Sequence, residues 1–134
     1  MSQWQEATKW EQDWWGNCAN TFGEEEKQLV YAKRMGIKIV RTHQSPYNFD
    51  ADNRSIIDIG GGPASMLLKA INLKSGCVVD PCLYPPWVAQ RYGAAGIVYS
   101  CNKAEDFADK IPDFKLNKFD EAWIYNVLQH VEDP

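Results

Sequence analysis

The stretch Ser55-Ile56-Ile57-Asp58-Ile59-Gly60-Gly61-Gly62-Pro63-Ala64 decides how this chain folds. Ser55 to Ile59 is a short apolar run, and three glycines and a proline end it. Such a run, bounded by turn residues, predicts a buried strand. Pro63 is well placed near a helix start, since its missing N–H has no partner in a first turn. The reading is strand, tight turn, then a helix over ASMLLKAINL (64–73). Glycines in a strand-to-helix turn let the backbone approach a ligand without a Cβ in the way. In open α/β sheets, ligands bind at the carboxyl ends of the strands.

Toward the C-terminus the alternation continues. Cys77-Val78-Val79-Asp80 predicts a second strand, and Pro86 to Tyr92 a short helix. Gly96-Ile97-Val98-Tyr99 predicts a third strand, and Ala104 to Lys110 a helix. Phe119 to Tyr125 predicts a fourth strand, with another helix beginning at Val127. Apolar strands separated by helices mean a parallel sheet covered on both faces, a three-layer α/β/α doubly wound arrangement.

Toward the N-terminus lies a leader, residues 1–54, within the same single domain. Trp4, Ala7, Trp10 and Trp14 share one helical face. That stripe serves either to pack on the domain or as an aromatic wall over a substrate. Thr21 and Glu24 have the spacing of a capping box. The helix they open ends at Gly36, with its glutamates favoured by the dipole. Ile37, Ile39 and Val40 suggest a short extended piece, and RTHQSPYNFDADN (41–53) a loop.

Composition narrows the classes. The chain has 134 residues, 45% apolar and 24% charged, as a folded single domain requires. Its net charge is −4 with no basic run, so nucleic-acid binding is not indicated. Cys18, Cys77, Cys82 and Cys101 form no C-x-x-C pair, and His43 and His130 stand away from them at no ligand spacing. No metal site is expected. Isolated cysteines suit a reducing compartment, and no signal core or membrane-length apolar stretch occurs. The expectation is a cytoplasmic protein.

A glycine loop alone discriminates little. The dinucleotide pattern G-x-G-x-x-G, counted from Gly60, meets Ser65 at its third glycine. Asp58-Ile59-Gly60-Gly61-Gly62-Pro63-Ala64 instead resembles the acidic-x-G-x-G-x-G signature of class I S-adenosylmethionine-dependent methyltransferases, with Ala64 at the last glycine. The resemblance implies a Rossmann-like fold whose glycine loop wraps the methionine part of S-adenosylmethionine, with Asp58 near its amino group, often through water. Asp80, followed by Pro81, ends the second strand 22 positions after Asp58. A carboxylate there can accept both ribose hydroxyls, each charged hydrogen bond contributing about 1.5–3 kcal/mol; the plain alternative is a solvated Asp before a turn.

Asn102-Lys103-Ala104-Glu105-Asp106-Phe107 resembles the family's G-D-A-E-x-L segment, which edges the adenine. Lys103 stands where the family often has an Asp. The resemblance leaves a backbone contact at Ala104 and either Glu105 or Asp106 as the side chain, or else an ordinary helix start. Phe119 to Val131 resembles F-D-x-V-x-x-x-x-V-L-x-H-V. It implies Asn126 beside the reactive methyl group. His130, four residues on and on the same helical face, is a candidate general base or else a histidine satisfied by the core or water. Tyr84-Pro85-Pro86-Trp87 lies after the wrong strand, and lacks the acid or amide, to be the D/N-P-P-Y/W motif of amino-group methylation. Cys82 has no evident base and is not read as a nucleophile.

The resemblance covers residues 55–134. Members of the family continue into further strands, so the fold is expected to lack its C-terminal strands. The fourth strand would then have an open edge, and a homodimer is expected to cover it. The function these readings favour is methyl transfer to a small molecule or sugar-like hydroxyl. The alternatives are a module that binds S-adenosylmethionine or S-adenosylhomocysteine without catalysis, and a nicotinamide-dependent oxidoreductase.

Overall fold

The computed structural model describes residues 2–16, 24–43, 45, 47–110 and 118–125. Helix α1 spans Gln3–Trp15. Ser2 opens it with a capping box: its side chain accepts from the Gln5 N–H, and the Gln5 side chain accepts from the Ser2 N–H. Helix α2 spans Glu24–Arg34, with acids in its first turn and Lys33 and Arg34 in its last, as the helix dipole favours. Gly36, at φ 71°, takes the chain out of it, and the Ile37 N–H returns to the Ala32 carbonyl at 2.9 Å. Thr21, the other half of the expected cap, lies outside the described residues.

Strand β1 (Ile39–Val40) pairs antiparallel with β2 (Asn48–Asp50). The 41–53 segment is therefore not all loop. Phe49 is fully buried between two polar neighbours, an alternation too short to stand out in the sequence.

Strand β3 (Ser55–Ile59) follows as expected, but the helix over 64–73 does not. One 3₁₀ turn, Met66–Lys69, is followed by β4 (Ala70–Ile71), parallel to β2. Ser65 caps the turn through its side chain, which accepts from the Leu67 N–H at 3.1 Å. The Ala70 N–H bonds to Leu67, and Asn72 adopts φ 55°, so the helix cannot propagate. Met66 and Leu67 are buried nonetheless, which is the apolar signal that suggested a helix.

Next come β5 (Ser75–Val79), α3 (Pro86–Ala94), β6 (Ile97–Ser100), α4 (Ala104–Lys110) and β7 (Glu121–Trp123). Four strands form a parallel sheet in the order β6-β5-β3-β7. β7 is shorter than the expected 119–125. Ahead of it, Asp120 joins the start of β3: its N–H bonds to the Ser55 carbonyl, and its carboxylate accepts from the Ser55 N–H, both at 2.8 Å.

Alternate strand residues face opposite sides. Ile56, Val78, Ile97 and Trp123 join Val88 and Tyr92 of α3 in one buried cluster. Ile57, Cys77 and Val79 join Phe107 of α4 in another. The protein is thus α/β, with a parallel sheet and helices. Among the described residues no helix is long and apolar enough to cross a membrane. The register aligns Ile59, Val79 and Ser100, so the segments after β3, β5 and β6 leave the sheet at one edge.

Candidate functional site

At that edge lies a cavity of about 340 Å³, within the range of small-molecule sites. Its floor is the glycine loop. Gly60 and Gly62 have φ of 71° and 69°, where a side chain is strained. A Cβ on Gly61 would stand 2.8 Å from Asp58 Oδ2 and 2.9 Å from Val78 Cγ1. Each of the three positions therefore has its own reason to be glycine.

Polar contacts hold the loop from both ends. The Gly60 N–H donates to the Val79 carbonyl at 2.7 Å, and the Gly62 N–H donates to Asp80 Oδ2 at 2.9 Å. The Tyr92 hydroxyl donates to the Gly62 carbonyl at 2.5 Å and accepts from the Ser65 N–H at 2.9 Å. The Gln28 amide of α2 donates to the Ala64 carbonyl at 2.5 Å.

Asp58 is fully buried beneath this loop and is not part of the cavity wall. Its Oδ2 accepts from the hydroxyls of Ser65 at 2.5 Å and Tyr125 at 3.2 Å, while Oδ1 is buried without a hydrogen bond from any of the described residues. Burial pushes its pKa from 3.8 up to about 7; the two hydroxyl bonds pull it down, and nearby Asp80 pushes it up.

Asp80 lies at the carboxyl end of β5 and lines the cavity. Oδ1 accepts from the Cys82 N–H at 2.9 Å and the Tyr84 hydroxyl at 3.1 Å, and Oδ2 accepts from Gly62. Three of its roughly four lone-pair positions are therefore used by its own chain. Burial raises its pKa, opposed by these three bonds.

The structure brings most of the sequence candidates together. Gly60, Gly61, Gly62, Asp80, Pro81, Ala104 and Glu105 all line the cavity. Asp58 supports it from beneath; Asp106 is not in its wall. Asn126 and His130 lie outside the described residues. Cys82 lines the wall, but burial pushes its thiol up to about 12, against a thiolate role.

Sequence reasoning missed Tyr84, Tyr92, Tyr125, Ser65 and Gln28, which hold the loop and the two carboxylates. Gln28 had a legible signal. With Tyr31, Ala32 and Met35 it makes an i, i+3, i+4, i+7 face, and an amide on such a face needs a partner. The opposite wall is α1: Trp4, Ala7, Trp10 and Trp14, the stripe seen in the sequence, together with Trp15.

No family model, curated protein or solved structure matches this chain.

Proposed function

We propose that this cavity binds S-adenosylmethionine and that the chain is a Rossmann-like methyltransferase acting on a small molecule. One observation carries the reading. The glycine loop after β3, Asp80 after β5 and Ala104–Glu105 after β6 open onto one cavity. These are the segments that the family resemblance assigns to the methionine, ribose and adenine parts of one ligand.

The lining also fits the ligand's charge. Glu11, Glu24, Asp80 and Glu105 outnumber Lys27 and Lys103 in the wall, which suits a cation better than a diphosphate. A dinucleotide reading fits less well. Its pyrophosphate needs a helix N-terminus behind the loop. Here a four-residue 3₁₀ turn follows, and Ser65 is committed to Asp58 and Tyr92.

When bound, S-adenosylmethionine supplies an electrophilic methyl group on a sulfonium. The chain's part is to hold and orient. The loop leaves the floor free of side chains, so a ligand can lie on the backbone. Asp80 has one open lone-pair position, and the Tyr84 hydroxyl can yield a second to a ribose hydroxyl. Glu105 stands at the adenine side. If the acceptor must lose a proton, His130 is the candidate base.

Calorimetric titration of S-adenosylmethionine, S-adenosylhomocysteine and NAD tests the reading. The first two should bind and NAD should not. Asp80→Asn should weaken binding roughly tenfold to a hundredfold, from one charged hydrogen bond. Glu105→Ala, at an exposed position, should weaken it less without disturbing the fold. A wild type that binds neither sulfur compound, or that prefers NAD, overturns the proposal. Turnover with amine and hydroxyl acceptors then separates an enzyme from a binding module.

A further inference from the structure

Helix α1 has no buried residue, yet four of its tryptophans line the cavity. A helix that only packed on the domain would hide its largest apolar rings. Trp10 and Trp14 are instead 63% and 61% exposed. Their rings stack nearly parallel, 9° apart, with centroids 6.0 Å apart. At up to about 250 Å² for each ring system, they leave on the order of 300 Å² in contact with water. Patches of that size on a monomer commonly mark binding surfaces.

The surroundings say what kind of ligand fits. Glu11 lies on the same helix and lines the same cavity as the rings, while Glu24 of α2, also in the wall, is already paired with Lys27 at 3.4 Å. At the other end of the wall the Lys103 ammonium lies 4.2 Å from the centroid of the Trp4 ring. The chain thus already sets one of its own cations on an indole face here. Indole faces carry negative potential and hold organic cations, and carboxylates nearby add to that attraction. A neutral group would gain nothing from the Glu11 carboxylate, which favours a cation over an anion beside the rings.

We infer that the α1 wall binds the cationic group of an organic amine or quaternary ammonium, and that the methyl acceptor carries such a group beside a hydroxyl: the hydroxyl oxygen forms the new bond to the methyl carbon, the C–S bond breaks with its electron pair kept by S-adenosylhomocysteine, and the hydroxyl proton passes to water. Its role as acceptor rests on the cofactor reading above; the binding of the cation does not.

The test uses choline and its neutral isostere 3,3-dimethylbutan-1-ol. Each is titrated calorimetrically into wild type, Trp10→Leu, Trp14→Leu and Glu11→Gln, with and without S-adenosylhomocysteine. Choline should bind wild type at least tenfold more tightly than the neutral alcohol. Each Trp→Leu change should weaken choline roughly threefold to thirtyfold. Trp10→Phe, which keeps a ring, should recover part of the loss. Thermal melting checks that these changes leave the fold intact. Equal binding of the two probes, no choline binding at tens of millimolar, or affinities unmoved in both leucine variants overturns the inference. S-adenosylmethionine titrated into the same proteins keeps the two readings apart. A protein that binds choline but not S-adenosylmethionine sinks the cofactor reading and leaves the wall. The reverse result sinks the wall alone.

Discussion

Replacing Asp58 by Asn should make the protein relatively more stable as the pH rises. Asp58 is fully buried, and among the described residues its Oδ1 has no hydrogen-bond partner. Its pKa, 3.8 in an ordinary setting, is about 7 in the fold, chiefly because burial penalises the charge. The folded chain keeps this proton up to about pH 7, whereas the unfolded chain releases it near pH 3.8. The contribution is therefore complete below the unfolded pKa and is lost as the pH climbs through the folded one. At about 1.36 kcal/mol per pH unit, wild type should lose roughly 2–3 kcal/mol between pH 5 and pH 8 from this group.

The amide of the Asp58→Asn variant has no proton to release. The raised carboxyl of Asp80 is present in both proteins, so to first order it cancels in the difference. Urea unfolding of both proteins at pH 5, 6, 7 and 8 should show the difference, variant minus wild type, rising by that amount. It should flatten above pH 8. A difference constant within about 0.5 kcal/mol, or one of opposite slope, would show that Asp58 ionises normally and that the burial argument is wrong.

Four further changes probe the loop, and a fifth, in α3, serves as a contrast. Asp80→Ala strands the buried Gly62 and Cys82 N–H groups, and should cost about 2–6 kcal/mol at about 1–3 kcal/mol each, whereas Tyr84→Phe should cost under about 1.5 kcal/mol, both read by denaturant titration. Tyr92→Phe leaves the Gly62 carbonyl and the Ser65 N–H without their shared hydroxyl, and should cost about 2–4 kcal/mol in the same assay. Gly61→Ala forces a Cβ against Asp58 and Val78 and should destabilise by about 1–3 kcal/mol. Gly93→Ala in α3, where a Cβ meets nothing within 4 Å, should raise stability by about 0.5–1 kcal/mol. Thermal melting of the two glycine variants would expose an error if they shift the same way.

The strands of the parallel sheet were legible because each is an apolar run ended by turn residues, as Ile56-Ile57 before Gly60 and Val78-Val79 before Asp80 are. The helix after the loop was misread for a physical reason. Met66, Leu67 and Ala70 bury the same positions whether the backbone continues as a helix or turns into β4. The choice is made by Asn72 at positive φ and by pairing with β2, and neither shows in periodicity. At the site, backbone features were legible: glycines at a turn, and an acid at a strand end. The tyrosines that hold them were not, because hydroxyl contacts such as Tyr92 to Gly62 and Tyr125 to Asp58 join residues 30 and 67 positions apart. The role of Asp58 also depends on depth. A residue before a glycine loop can face a ligand or sit beneath it, and only packing decides.

The placement of Asp58 beneath the floor gives a way to read the charge of whatever binds above it. A cation about 6–10 Å away, at an effective dielectric constant near 20, favours the ionised carboxylate by about 2–3 kcal/mol. That lowers the pKa of Asp58 from about 7 by roughly one to two units. A cationic ligand should therefore release up to about half a proton on binding near pH 7 and bind more tightly as the pH rises through that region. A diphosphate should do the reverse, taking up a proton and binding better at low pH. Calorimetry at pH 7 in two buffers of different ionisation enthalpy counts these protons directly. S-adenosylmethionine should release them from wild type and not from Asp58→Asn, while Asp80 remains in both as the internal comparison. Equal release in the variant would move the effect to Asp80. Proton uptake in the wild type would mean that the field at the loop is set by an anion, against both the cofactor and the cationic acceptor argued for this cavity.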